Sequence, residues 1–384
     1  MSDATETVHQ SFTQLTGSDP AGVWFAPGRV NLIGEHTDYN DGFCMPFALP
    51  HRVTVAAGPR DDERWRIRSV DMDETVEFGV EDLEPGARTG WSTYLAGVVW
   101  ALREAGHAVA GADVVLGSDV PVGAGLSSSA ALECAALTAL VDLNGLDIAL
   151  MDRAVLARRA ENAYVGAPTG LMDQAASTLC TSGNALFFDC RELTVEQVPF
   201  APQDHGLDML VLDTRTPHSH VDGEYAERRA SCEKAAGLLG VAALRDINED
   251  QLDRALQTVA DPLLQRRVRH VVTEDARVLA AVDVLRRGDV AALGELLDQS
   301  HASMRDDFEI TVDTVDVAVE TARAHGAIGA RMTGGGFGGC IIALVPHGTG
   351  DRVGRAIAAA FAERGWGAPV WFTAAPSDGA GRIR

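Results

Sequence analysis

Three stretches of this chain hold residue types at spacings suited to binding a phosphorylated ligand and a polyhydroxylated one. The first is Pro121-Val122-Gly123-Ala124-Gly125-Leu126-Ser127-Ser128-Ser129-Ala130-Ala131. Its two glycines allow a tight turn and close backbone approach to an anion. Its three serines add hydroxyls where an alanine-rich helix begins, and a helix start offers free N–H groups and a partial positive charge. The second is Met332-Thr333-Gly334-Gly335-Gly336-Phe337-Gly338-Gly339-Cys340, with five glycines in six positions before an apolar strand. Such density implies backbone packed tightly against another part of the molecule. The third is Ala26-Pro27-Gly28-Arg29-Val30-Asn31-Leu32-Ile33-Gly34-Glu35-His36-Thr37-Asp38-Tyr39-Asn40-Asp41-Gly42. Here a strand-like piece runs into Glu35, His36 and Asp38, a dense set of acceptors and donors of the kind that sugar hydroxyls require. A serine-capped loop, a glycine turn and a charged surface turn are the plain alternatives. The full length of the serine run and its pairing with the glycine cluster weigh against the first two.

The elements that must position these stretches are readable in outline. Val53-Thr54-Val55-Ala56-Ala57 and Val114-Val115-Leu116-Gly117 have the β-branched content and turn-residue boundaries of strands. Residues 129–143 and 151–164 follow with helical spacing, the second placing Ala154, Val155, Arg158 and Glu161 three and four apart. A strand over 185–189 leads to the polar, proline-marked segment 198–204, the natural domain boundary. A second strand set opens at 208–213. Helices dominate 225–297, where Val268, Val271, Val272, Leu279, Val282 and Leu285 fall on one apolar stripe. The chain closes with a strand over 340–345, a helix over 351–364 and a strand over 369–372. Strands and helices mix in both halves, so the expectation is α+β: two layered domains, residues 1–203 and 204–384, with mixed sheets and a site in the cleft between them. No internal repeat or low-complexity run interrupts this order.

Composition narrows the chemistry. The 384 residues are 46% hydrophobic and 23% charged, a balance suited to a globular protein of more than one core. The formal charge is −23, from 55 acidic against 32 basic residues, which disfavours nucleic acid and anionic lipid as partners. That field also repels ATP, so a phosphate site must supply its own positive potential from backbone N–H groups, arginine or a metal. Lys234, in Cys232-Glu233-Lys234-Ala235, is the only lysine and follows no glycine loop, which excludes a P-loop. The six cysteines include no C-x-x-C pair and read as reduced, buried thiols. His218 and His220 lie close together without a second ligand pair, so no histidine metal centre is expected. The polar start Met1-Ser2-Asp3-Ala4-Thr5-Glu6 lacks the pattern of a secretory signal, and no run approaches a membrane span. A cytoplasmic monomer is expected.

Residues 28–40 resemble the galactokinase signature nearly letter for letter. The serine loop and the glycine cluster resemble the second and third motifs of the GHMP kinases (galactokinase, homoserine, mevalonate and phosphomevalonate kinases). The likeness continues through Gly170-Leu171-Met172-Asp173-Gln174, Tyr225-Ala226-Glu227-Arg228-Arg229 and His301-Ala302-Ser303-Met304-Arg305-Asp306-Asp307, and so spans nearly the whole chain. It implies ATP-dependent phosphorylation of the anomeric hydroxyl of galactose. By that resemblance Asp173 is the general base, with Arg29 beside it stabilising charge on the transferring phosphoryl group. Glu35, His36, Thr37 and Asp38 bind the sugar, completed by Gly170, Asp173 and Tyr225. Gly123, Ala124, Gly125, Leu126, Ser127, Ser128 and Ser129 hold ATP phosphates, Trp91 and Tyr94 lie near adenine, and Ser69 is an adenine-side contact. Ser129 and Glu161 coordinate Mg²⁺, whose preference is for hard oxygen ligands. Asn162 and Thr169 depart from the histidine and cysteine common in relatives, a difference bearing on fine substrate preference. Two rivals stand beside this reading: a related kinase for N-acetylgalactosamine, arabinose or a uronic acid, and a non-catalytic sugar- and ATP-binding regulator. The complete serine loop, with Asp173 and Arg29 present, speaks against the regulator.

Overall fold

The computed structural model describes residues 3–121, 123–216 and 221–384. His218 and His220, and Val122 of the serine loop, lie outside the described residues. Three sheets and their covering helices give the α+β order expected. The largest sheet has six strands in the order Gly381–Arg382, Gly22–Asn31, Pro46–Pro59, Ala112–Ser118, Arg64–Ser69 and Glu74–Gly79. All its pairs are antiparallel except Arg64–Ser69 on Ala112–Ser118. A small sheet joins Phe43–Cys44, Asn184–Asp189 and Thr194–Pro199. The last strand, Gly381–Arg382, returns from the C-terminal half to pair with Trp24 and Phe25.

The second large sheet explains how the halves join. Its order is Gly329–Thr333, Cys340–Pro346, Leu207–Asp213 and Val370–Ala374, all antiparallel. Successive side chains of a strand point to opposite faces. Leu210 and Leu212, with their cross-strand partners Ala343 and Ile341, pack into the C-terminal core. Met209 and Val211, with Leu344 and Ile342, pack into the core that also holds Trp24, Phe47 and Trp65 of the first sheet. Both faces are therefore covered, which is why 209–212 reads as an unbroken apolar run rather than an alternating one. Full burial of each such side chain is worth about 1.5–3 kcal/mol.

The helix Pro262–Arg286 bridges the same two cores and corrects the expected stripe. Leu264, Val268, Val271 and Val272 lie in the C-terminal core, whereas Val278, Ala281, Val282 and Leu285 lie in the first. Because the helix changes partners part-way along, its buried face rotates, and Leu279 is left 44% exposed. Among the described residues, no helix is long and apolar enough to cross a membrane, and all six cysteines are free thiols.

Candidate active site

A cleft of about 360 Å³ opens where the three motifs meet. Its floor is a carboxylate held from two sides. Arg29 sits near the end of the Gly22–Asn31 strand, whose backbone is tied to the serine loop by the Arg29 N–H to Leu126 C=O bond of 3.1 Å. The guanidinium, almost fully buried, donates to Asp173 Oδ1 from Nε at 2.8 Å and contacts it from Nη2 at 2.7 Å, while Nη1 donates to the Gly125 carbonyl at 2.7 Å. Ser127, at φ 58° just before the Ser128–Leu143 helix, donates its hydroxyl to Asp173 Oδ2 at 2.5 Å. Asp173 itself stands in the first turn of the Met172–Leu179 helix, where the dipole favours a negative side chain.

The next turn of the serine loop continues along the cleft. Gly123, Gly125, Leu126, Ser127, Ser128 and Ser129 all line the cleft. Ala124 instead is fully buried among core side chains. Ser129 donates to Glu161 Oε1 at 2.9 Å. Glu161 begins its own element, the π-type turn Ala160–Val165 that ends the Leu150–Arg159 helix, so its side chain is aimed inward rather than along a solvated face. Thr169 and Gln174 each donate to Glu161 Oε2 at 2.7 Å. Burial raises the Glu161 carboxyl above its usual range, with these hydrogen bonds opposing. Asn162 and Thr169, the two departures, bond one another across the 162–169 loop, and Thr169 also donates to Glu161. Tyr94 lines the cleft, but Trp91 and Ser69 do not. The Trp91 indole donates to Glu74 at 2.8 Å, and Ser69 is buried at its strand end, accepting the Met72 N–H at 3.3 Å.

On the other side stand the residues of the third motif. Asp38, Gly170 and Tyr225 face the cleft together. A β-carbon at Gly170 would overlap the Asp38 carboxylate, so any side chain there must displace Asp38. Burial, reinforced by the charge of Asp173, lifts Asp38 to about 6. Glu35 is buried on Arg331, Asn31 (2.7 Å) and the Gly334 N–H (2.9 Å); burial lifts it to about 7 against the pull of Arg331. Glu274, 3.9 Å from the same guanidinium and salt-bridged to Arg277 at 2.8 Å, is held down near 2 despite its burial. His36 has both ring nitrogens engaged inside the protein, Nε2 with the Gly335 carbonyl at 3.1 Å and Nδ1 with the Tyr39 hydroxyl at 2.7 Å. A carbonyl only accepts, so Nε2 carries the proton and Nδ1 accepts from Tyr39. Burial and the neighbouring His270 depress His36 to about 3, leaving the ring neutral. Thr37 turns away from the cleft, its hydroxyl 2.9 Å from the Gly34 carbonyl and 2.6 Å from that of Phe43.

The glycine cluster does pack closely, as its density implied. Gly334, at φ 93°, places its α-carbon so that a β-carbon would fall 3.0 Å from the Gly125 carbonyl, and its backbone holds Glu35. The cluster thus joins the serine loop to the 26–42 motif. Sequence reasoning missed Arg331, Asn31, Gln174 and Glu133. Two signals were available: Asn31 lies four residues before Glu35, and Glu133 is an acid set among the alanines and leucines of an apolar helix. The arrangement offers an anion cradle, a carboxylate fixed between a guanidinium and a hydroxyl, and a polar pocket of buried acids: parts suited to phosphoryl transfer to a hydroxyl.

Known proteins match this arrangement along the chain. Residues 10–59 match the galactokinase galactose-binding signature, 93–181 the GHMP kinase N-terminal domain and 281–363 the GHMP kinase C-terminal region. The chain is 55% identical over 379 residues to a galactokinase of Streptomyces coelicolor, with 98% of each chain covered. It is 47% identical to a galactokinase of Mycobacterium tuberculosis, over 94% of this chain and 98% of that one. The crystal structure of Lactococcus lactis galactokinase complexed with galactose superposes with a TM-score of 0.93 at 31% identity, covering 98% of this chain and 99% of the other. The mevalonate kinase of Methanococcus jannaschii shares the fold alone, with a TM-score of 0.66 at 15% identity over 93% of this chain and 98% of that one. A signature particular to one kinase group, two superfamily domains and near-complete coverage at 55% identity leave one assignment: this chain belongs to the galactokinase family of the GHMP kinases.

Proposed function

We propose that the protein transfers the terminal phosphoryl group of ATP to the C1 hydroxyl of α-D-galactose, giving galactose 1-phosphate and ADP. The observation that carries the reading is the Asp173 carboxylate, clamped between Arg29 and Ser127 where the serine loop meets the galactokinase signature. In this reading the C1 hydroxyl attacks the γ-phosphorus and the bond to the ADP oxygen breaks. Asp173 Oδ takes the hydroxyl proton as the new C–O–P link forms. An ordinary carboxylate is too weak a base to make a free alkoxide, so proton transfer comes late, and the loose transition state is stabilised chiefly by charge. Arg29 already spans Asp173 and the phosphate loop, and so needs little reorganisation as charge moves onto the phosphoryl oxygens. Asp38 and Glu35 supply acceptors for sugar hydroxyls, Gly170 gives Asp38 its room, and Tyr225 closes the pocket. His36, with its nitrogens engaged, shapes that wall through its ring.

Mg²⁺ fits the donor set present. Ser129 Oγ and Glu161 offer hard oxygens 2.9 Å apart beside the loop, and Mg²⁺ takes few protein ligands when waters and phosphates complete its shell. When bound it would neutralise charge on the β- and γ-phosphates. We take the chain as a cytoplasmic monomer of two domains dividing near residue 203, with the final strand returned to the first. Kinases for N-acetylgalactosamine, arabinose or uronic acids, and a non-catalytic regulator, are not favoured by the intact signature, the complete serine loop and the placed Asp173. A coupled ADP-release assay over a sugar panel tests the reading. Sites that hydrogen-bond a hydroxyl reject its absence or inversion by orders of magnitude, so galactose turns over far faster than glucose. Comparable rates on the two sugars refute it.

A further inference from the structure

Beneath the cleft lies a fully buried acid that the reading above does not use. Glu133, one turn after Ser129 on the Ser128–Leu143 helix, is wholly inaccessible to solvent. The charged groups that act on it are Glu161 and Asp173, both of its own sign, and burial pushes its carboxyl well above the usual range. Among the described residues its one hydrogen-bond partner is Gln174, whose amide nitrogen lies 3.4 Å from Glu133 Oε2 and 2.7 Å from Glu161 Oε2. Glu133 Oε1 and Gln174 Oε1 are both buried without a partner among the described residues. An isolated buried acid costs stability that an alanine or leucine would not, so its place beside Gln174 calls for a function.

We infer that Glu133 is a positioning residue that holds the Gln174 amide against Glu161 and thereby fixes the carboxylate facing the metal–nucleotide. The pair links three elements at one point: the helix bearing Ser129, the turn bearing Glu161, and the helix whose Asp173 is the neighbour of Gln174. Glu161 is then steered by three donors, and removing the buried one frees it to swing. This rests on the reading of Ser129 and Glu161 as metal ligands. Partners that orient a metal ligand typically contribute about 10–100-fold to metal affinity.

The test measures free Mn²⁺ by electron paramagnetic resonance as it is titrated into the intact protein with ADP, alongside galactose affinity by calorimetry. Glu133→Leu and Gln174→Met each weaken Mn²⁺ binding about 10–100-fold, while galactose affinity stays within twofold. Glu133→Gln, which keeps the shape and an acceptor for the Gln174 amide, restores Mn²⁺ affinity to within about threefold of the parent. Because Glu133 acts through Gln174, Glu133→Leu adds no further loss in the Gln174→Met background. Mn²⁺ affinity unchanged in Gln174→Met overturns the inference, and does so even if Glu133→Leu fails to fold. Glu161→Ala separates the two levels. If it binds Mn²⁺ normally, the metal reading falls and the inference with it; if it alone loses Mn²⁺, only the inference falls.

Discussion

Replacing Asp173 by asparagine isolates proton acceptance from shape. In the wild-type site Oδ1 takes two contacts from Arg29, at 2.8 and 2.7 Å, and Oδ2 takes the Ser127 hydroxyl at 2.5 Å. An asparagine can satisfy both sides by turning its carbonyl to Arg29 and its amide to Ser127, whose hydroxyl then accepts instead of donating. The local framework survives, and what disappears is a group able to take a proton. General-base assistance is worth about 10²–10⁴ in rate, or about 2.7–5.5 kcal/mol at 1.36 kcal/mol per decade. The kcat at saturating galactose and ATP falls by that factor in a coupled ADP-release assay. Exchanging one charge-assisted hydrogen bond for a neutral one costs about 1 kcal/mol, so galactose Kd by calorimetry rises only about fivefold. Arg29→Lys retains a charge but not the fork that reaches Asp173 and Gly125 together, and it loses less activity than Arg29→Ala. A kcat for Asp173→Asn within tenfold of wild type refutes base catalysis by this residue. Abolished galactose binding instead makes Asp173 a binding group, with positioning and charge carrying the rate.

Gly170→Ala drives a β-carbon into the Asp38 carboxylate. Losing a charge-assisted sugar contact of about 1.5–3 kcal/mol raises galactose Kd about 10–150-fold without changing ADP affinity, and calorimetry that finds neither sugar loss nor Asp38 displacement removes Asp38 from the sugar site. Asp38→Asn changes the pH dependence of stability. With its carboxyl raised from 3.8 to about 6, wild-type Asp38 favours the fold below about pH 4, and that contribution is lost as pH rises through about 6. The loss reaches at most about 3 kcal/mol by pH 8, less what partial solvent contact screens. The Tm of Asp38→Asn relative to wild type therefore climbs from pH 4 to pH 8, and a flat difference shows that Asp38 carries no such penalty.

Much of this site was legible because its motifs are backbone motifs. The serine loop and the glycine cluster announce close approach through the residues they lack, and both were placed in the cleft. Glu35, His36 and Asp38 were visible as a dense polar run, but sequence could not show that His36 spends both nitrogens on Gly335 and Tyr39. Arg331 carries no local signal: it is an arginine in an ordinary strand, and its value comes from a carboxylate about 300 residues earlier in the chain. Thr169 was visible only as a departure bearing on substrate preference; its contact with Glu161 depends on a π-type turn that spacing does not announce. Leu279 fits the apolar stripe by angle, and only the change of packing partner along the helix excludes it.

The strand Leu207–Asp213 divides its apolar side chains between two interiors, Leu207, Met209 and Val211 to one and Leu210 and Leu212 to the other. A wall shared in this way makes the two halves one cooperative object. Neither half keeps a closed interior without the other, since cutting near residue 203 would strip Met209, Val211, Ile342 and Leu344 from the first core. The same wall gives evolution a constraint of parity: inserting or deleting one residue in this strand would turn every side chain toward the wrong interior at once.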